Sequence, residues 1–271
     1  MNRVLGRCLA GLAVATGALS LAAGCVHDDS SFFVQNVIFP QPQGAGTECT
    51  YTPNPTQAFL PRGSVDVALR AEYDAVFLLA NQLVTESNPN QVQTETSNIN
   101  IQGAIVRDTD AAGNQLDSFT SLTSGTVYAA VGGTPGYAVS GATVISNKAL
   151  KASGAFSLPV GQASTTLVGY VKFFGHTLGG DYIESNEFEF PVDACNGCLV
   201  TFSESDNDPC YLPQPNCLNA ANGTASSSAN TVPCVPGQDV FIDCSQCLTN
   251  SLCNPPPTQY ICASDAGTSG G

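Results

Sequence analysis

Twelve cysteines, in a chain of 271 residues with one methionine and no tryptophan, are the side chains whose spacing offers chemistry. Two pairs are separated by two residues: Cys195 and Cys198 in "VDACNGCLV", and Cys244 and Cys247 in "FIDCSQCL". Such pairs serve three chemistries. Two knuckles give four thiolates to a tetrahedral zinc ion. A dithiol exchanges with other disulfides when its first sulfur is held as a thiolate. Closed bridges staple a small fold. Redox compartment selects among them, so the N-terminus bears on the cysteines more than their own surroundings do.

Residues 1–25, "MNRVLGRCLAGLAVATGALSLAAGC", place two arginines before an apolar run of about fourteen residues and then small residues, the layout of a secretory signal. The run is too short for a membrane span, which needs about 20 apolar residues. Its end, Leu21-Ala22-Ala23-Gly24-Cys25, resembles a bacterial lipobox, with Ala22 where the commonest form has leucine. That resemblance implies cleavage after Gly24, lipid on Cys25 and, with Val26 following, sorting to the outer membrane. Several acyl chains at about 0.8 kcal/mol per buried methylene make a stable anchor.

Cys8 leaves with such a signal and Cys25 is taken by lipid. Ten cysteines remain as disulfide candidates: Cys49, Cys195, Cys198, Cys210, Cys217, Cys234, Cys244, Cys247, Cys253 and Cys262. Ten is even, but the nine beyond residue 194 are not, so full pairing requires Cys49 to cross from the N-terminal segment. In an exported chain structural disulfides rank above zinc. Redox catalysis ranks below the staple as well, because "CNGC" follows a strand rather than opening a helix, and acidic surroundings raise thiol pKa values.

Other sites are weaker. "DTDAAGNQLDSF", from Asp108, has the first acids of a calcium loop but Ala112 and Phe119 where ligands belong, and a turn at Gly113-Asn114 explains it better. "SESDND", 203–208, could gather a cation with its three acids, but a solvated acidic loop is the commoner outcome. His176 is the sole plausible base and is expected in a turn, with Glu184 and Glu187 nearby. No hydrolase elbow, zinc-protease helix or phosphate loop is present. No catalytic residue, metal or cofactor is expected. With net charge −14 and no Lys or Arg after Lys172, nucleic-acid binding is not expected either.

The elements that position these residues are β. Apolar residues make up 43% and charged residues 11%, a balance suited to an exported β-protein. Strands are expected over 32–39, 64–70, 73–84, 98–107, 115–122, 125–131, 137–146, 165–175 and 186–192. Alternation in "NINIQGAIVR" sends Ile99, Ile101 and Ile105 inward, and "NEFEFPV" buries Phe188 and Phe190 while Glu187 and Glu189 face water. Spacing and period predict an immunoglobulin- or fibronectin-like β-sandwich followed by a small disulfide-rich module, with a jelly roll or small barrel as alternatives. The expected layout is a signal over 1–24, anchor, tether and first strand over 25–63, sandwich over 64–193, cysteine-rich module over 194–262 and a disordered tail over 263–271.

"FFGHTLGGDYIESNEFEFPVDACNGCLVTF" and "PCVPGQDVFIDC" resemble cysteine-rich predicted lipoproteins of the myxobacterial type, over roughly 169–247. The resemblance implies the same layout and brings no catalytic residue. The expectation is therefore a lipid-anchored envelope protein of the outer membrane, not an enzyme. It would act as a structural, binding or adhesion module with an unidentified envelope partner, and contact the membrane through Cys25. The alternative is an envelope enzyme or thiol–disulfide accessory that uses His176 or a C-x-x-C pair.

Overall fold

The computed structural model describes residues 31–42, 49–85, 95–212, 214–223, 233–254 and 259–260. In chain order the strands among them are β1 (Phe32–Ile38), β2 (Gln41–Pro42), β3 (Cys49–Thr50), β4 (Phe59–Leu60), β5 (Gly63–Asp66), β6 (Tyr73–Asn81), β7 (Ile99–Asp110), β8 (Gln115–Val127), β9 (Gly136–Ile145), β10 (Ser164–Thr177), β11 (Tyr182–Glu184), β12 (Phe188–Cys195), β13 (Val200–Thr201), β14 (Tyr211–Leu212), β15 (Ile242–Asp243) and β16 (Gln259–Tyr260). Two short helices, α1 (Asn147–Ala152) and α2 (Leu218–Ala221), join them, with 3-10 turns at Ala155–Ser157 and Cys244–Cys247. The protein is mainly β.

One sheet has the order β4-β1-β6-β9. The other runs β5-β12-β10-β7-β8, with β11 added to β10. All pairings in these two sheets are antiparallel except β5 with β12. A single apolar core takes Phe32, Tyr73, Phe77 and Val144 from the first sheet, and Val106, Phe173, Phe190 and Val192 from the second. Phe77 meets Phe173 edge-on at 5.2 Å, the favoured geometry of two ring quadrupoles. The sheets approach closely at Gly169, where a Cβ would lie 2.5 Å from Val144 Cγ1.

Several elements differ from the sequence expectation. Ile99 and Ile101 point into the core, but Ile105 is 41% exposed, and Ala104 and Val106 are buried in its stead. The register between β7 and β10 shifts between Ile101 and Gly103, which leaves Gln102 as an extra residue and moves the alternation by one. The strands expected over 115–122 and 125–131 form one strand, β8, that ends at Val127, and at the expected break its pairing with β7 shifts register between Leu122 and Gly125 instead of ending. β12 runs on to Cys195, past the expected end at residue 192, because it gains β5 as a parallel neighbour and pairs Cys195 with Asp66.

Beyond β12 the sheets are two residues wide, β13 with β15 and β14 with β16. A second small core gathers Val200, Ile242, Cys217, Cys244, Cys247 and Cys253, with Leu69 and Phe202 against it. Half of those buried side chains or more are cysteines, so cross-links replace apolar volume there. No helix among the described residues is long and apolar enough to cross a membrane.

Candidate functional site

Asp66 ends β5 and is fully buried. A carboxylate there must be satisfied by donors, and three backbone N–H groups supply them. Its Oδ1 accepts from Gly197 N at 2.7 Å and Ala68 N at 3.0 Å, and its Oδ2 accepts from Leu199 N at 3.0 Å. Two of those donors belong to the C-N-G-C turn and the residue after it, so the carboxylate shapes the loop that closes the Cys195–Cys198 disulfide. Gly197 sits at φ +71, a conformation that glycine adopts without cost. One carboxylate oxygen of Asp66 and the sulfurs of Cys195 and Cys198 lie within 4.8 Å of one another. Cys195 is buried and Cys198 is partly exposed, in a surface groove it shares with Ser64, Gln162, Ser164, Asp193 and Phe241.

The second C-x-x-C pair is wired differently. Cys244 is bonded to Cys217, and Cys247 to Cys253. The two pairs are therefore not the facing knuckles of a zinc ribbon. Cys49 is bonded to Cys234, 185 residues away. Cys210 is also disulfide-bonded. Cys25 and Cys262 lie outside the described residues, and with them the expected lipidation of the first and pairing of the second.

A buried junction adjoins the groove. Asp239 accepts from Ser64 N at 2.8 Å and from the Tyr73 hydroxyl at 2.9 Å, with its backbone at φ 61. Burial pushes its carboxyl up while these hydrogen bonds pull it down, and burial beside Asp239 holds the Tyr73 hydroxyl well above its ordinary value.

Other residues singled out in the sequence are held in ordinary ways. His176 lies on β10 rather than in a turn, opposite Tyr182 with the rings edge-on at 5.4 Å, and its Nδ1 is buried without a hydrogen-bond partner. Glu184 pairs with Lys172 and accepts from the Tyr182 hydroxyl. Glu187 pairs with Arg107. The calcium-like stretch forms a turn, in which Asp110 Oδ1 accepts from Ala112 N and Asn114 N. Asp108 is buried under α1, where its Oδ2 accepts from Ser146 N at 2.9 Å and its Oδ1 has no partner. Burial raises its carboxyl to about 6 against the pull of the Ser146 hydrogen bonds. Neighbouring Asp117 is held low, first by Lys148 and also by Ser146. These two carboxyls differ in protonation as an acid and base pair would, but Asp108 has no access to a substrate.

Asp66 is the residue the sequence reading missed. In "SVDVAL" alternation with Val65 and Val67 puts Asp66 on the face of Ser64, the one expected to meet solvent, and its burial comes from the C-N-G-C loop folding over it. Nothing in that stretch alone signalled the burial.

No family model matches the chain, and no curated protein matches it. Among solved structures, a protein described as late embryogenesis abundant (LEA), determined in solution, is similar at 11% identity. The match covers 69% of this chain and 82% of that one with a TM-score of 0.29, a likeness too distant to define a shared fold.

Proposed function

We propose that the chain is a thiol–disulfide-active accessory module, with Cys195–Cys198 as the exchanging pair. The observation that carries this reading is the buried Asp66 carboxylate within 4.8 Å of both sulfurs, beside a groove from which Cys198 is reachable. A thiolate of a dithiol partner attacks Cys198 Sγ, the Cys195–Cys198 bond breaks, and Cys195 Sγ leaves and takes a proton. The partner's second thiol then displaces Cys198 as a thiol. The partner becomes a disulfide, and the pair gains two electrons and two protons. A neighbouring carboxylate disfavours thiolate at either sulfur, so the reduced pair lacks the stabilisation that makes a strong oxidant. Run in reverse, the same exchange lets the reduced pair pass its two electrons and two protons to a partner disulfide or reshuffle bridges, with a potential expected below about −180 mV. Equilibration of the folded chain with a dithiol series, followed by alkylation and peptide mass analysis, is expected to label Cys195 and Cys198 before any other cysteine. If all bridges open together, and only when the protein unfolds, the pair is a staple.

A second reading is a structural or binding unit anchored in the cell envelope by lipid on Cys25, in line with the resemblance to myxobacterial-type lipoproteins. It is favoured by the pattern of residues 1–25 and by bridges that brace the chain at Cys49–Cys234, Cys217–Cys244 and Cys247–Cys253. The two readings are compatible, since one gives location and the other chemistry. Replacing Cys25 by serine is expected to move the protein from the membrane to the soluble fraction, and retention at the membrane would remove the anchor. For the fold, the strand order supports an immunoglobulin- or fibronectin-like sandwich. β1-β6-β9 follows the A-B-E order, and β12-β10-β7-β8 follows G-F-C-C′. The second small core supports a distinct disulfide-rich module.

A further inference from the structure

The geometry points to a calcium site between Asp206 and Asp243, in the cysteine-rich region and separate from the Cys195–Cys198 pair. Asp206 is only 4% exposed, and its Oδ1 is buried with no hydrogen-bond partner, while Ser203 Oγ donates to its Oδ2 at 2.7 Å. Asp243 is partly buried and accepts from Ser245 N at 2.9 Å, capping the 3-10 turn Cys244–Cys247. One carboxylate oxygen from each lies within 4.8 Å of the other. Two oxygens that share a calcium ion at about 2.3–2.6 Å each stand at most about 5 Å apart, so this separation suits one ion between them.

Charge supports the same conclusion. A cation between two carboxylates this close, one of them buried, offsets their like charge. No lysine or arginine follows Lys172 in the chain. Arg62, Arg70, Arg107, Lys148 and Lys172 are paired with other carboxylates, and the remaining described basic residue, Lys151, lies in the last turn of α1. The sulfurs of Cys217 and Cys244 complete the cluster, but they are bonded to each other and are not thiolate ligands. The donors left are hard oxygens, which select calcium over zinc. Water and backbone carbonyls would complete the shell. Because Asp206 O also accepts from Asn219 N at 3.1 Å, an ion here would tie the 203–208 loop, α2 and the Cys244–Cys247 turn into one unit.

The test is calorimetric titration of CaCl2 into the intact, oxidised chain, with thermal unfolding run beside it. One saturable site is expected, with a dissociation constant on the order of 10⁻⁴ to 10⁻³ M, the range of weak calcium modules with few charged ligands. Calcium is expected to raise the unfolding temperature beyond what magnesium, or sodium chloride of equal ionic strength, achieves. Asp206→Asn should weaken binding by about tenfold or more, since calcium affinity follows the number of charged ligands, while Asp110→Asn should leave it unchanged. Should the first variant not fold, Asp243→Asn is read by the same titration. Absence of saturable binding to the unaltered protein, a thermal shift matched by sodium chloride, or undiminished binding in the Asp206 or Asp243 variant would overturn the proposal.

Discussion

Asp66 and Asp108 are both buried carboxyls, and the number of donors around each sets its role. Asp66 receives three backbone N–H groups and fixes the turn that carries the Cys195–Cys198 pair. Asp108 receives Ser146 N through one oxygen and leaves the other without a partner, so burial dominates and its carboxyl titrates near 6 rather than 3.8. A raised folded-state pKa means that the protonated form is favoured in the fold. The stabilising contribution is therefore complete below about 3.8 and is lost as pH rises through about 6. The loss is on the order of 2 to 3 kcal/mol, since each tenfold change in proton affinity between the folded and unfolded chain is worth about 1.4 kcal/mol. Asp108→Asn is expected to remove this slope, so that melting temperatures recorded between about pH 4 and pH 7 change less than in the native chain and are higher at pH 7. A variant that keeps the native slope would place the titrating group elsewhere.

Among the elements, β7 and β10 show how a local irregularity sets which side chains reach the core. Alternation was legible in "NINIQGAIVR", but the phase change at Gln102 was not. A bulge depends on the registers of two neighbouring strands rather than on the residues of one. Gly169 shows the converse, since nothing in "LVGYV" marks it except the absence of a side chain, while the structure puts Val144 of β9 against it. Gly169→Ala would place its Cβ 2.5 Å from Val144 Cγ1 and 2.8 Å from Val144 O. Overpacking of this kind costs typically about 1–3 kcal/mol. Chemical denaturation is expected to show that loss, and an unchanged midpoint would mean that the two sheets separate there at little cost.

Across the whole molecule, the cysteine-rich segment is bound to the large sheets at several points by different forces. The Cys49–Cys234 bridge is covalent. Asp239 links Ser64 to the Tyr73 hydroxyl by hydrogen bonds, Gly237 O accepts from Asp66 N at 2.9 Å, and Asn250 Nδ2 donates to Ala68 O at 2.6 Å. The segment has few large apolar side chains, so these attachments take the place of a broad hydrophobic interface. The described basic residues sit on the two main sheets and their connections, while the cysteine-rich segment carries Glu204, Asp206, Asp208, Asp239 and Asp243 and no Lys or Arg. A divalent cation is the natural counter-charge for such a region.

The sequence by itself determined the β class, from alternation and turn residues. Its nine cysteines beyond residue 194 leave one over, so full pairing required a cysteine from the N-terminal side, a role the structure gives to Cys49. These features are local or arithmetical. Only the tertiary structure decided that Cys195 closes on Cys198 while Cys244 and Cys247 take other partners, and that Asp66 lies against that pair. It also brought Asp206 and Asp243, 37 positions apart in the chain, to within 4.8 Å. The reason is physical. Identical C-x-x-C spacings have the same local geometry to choose from, and which sulfur or carboxylate becomes a neighbour is set by how distant strands pack, which no short stretch of sequence encodes.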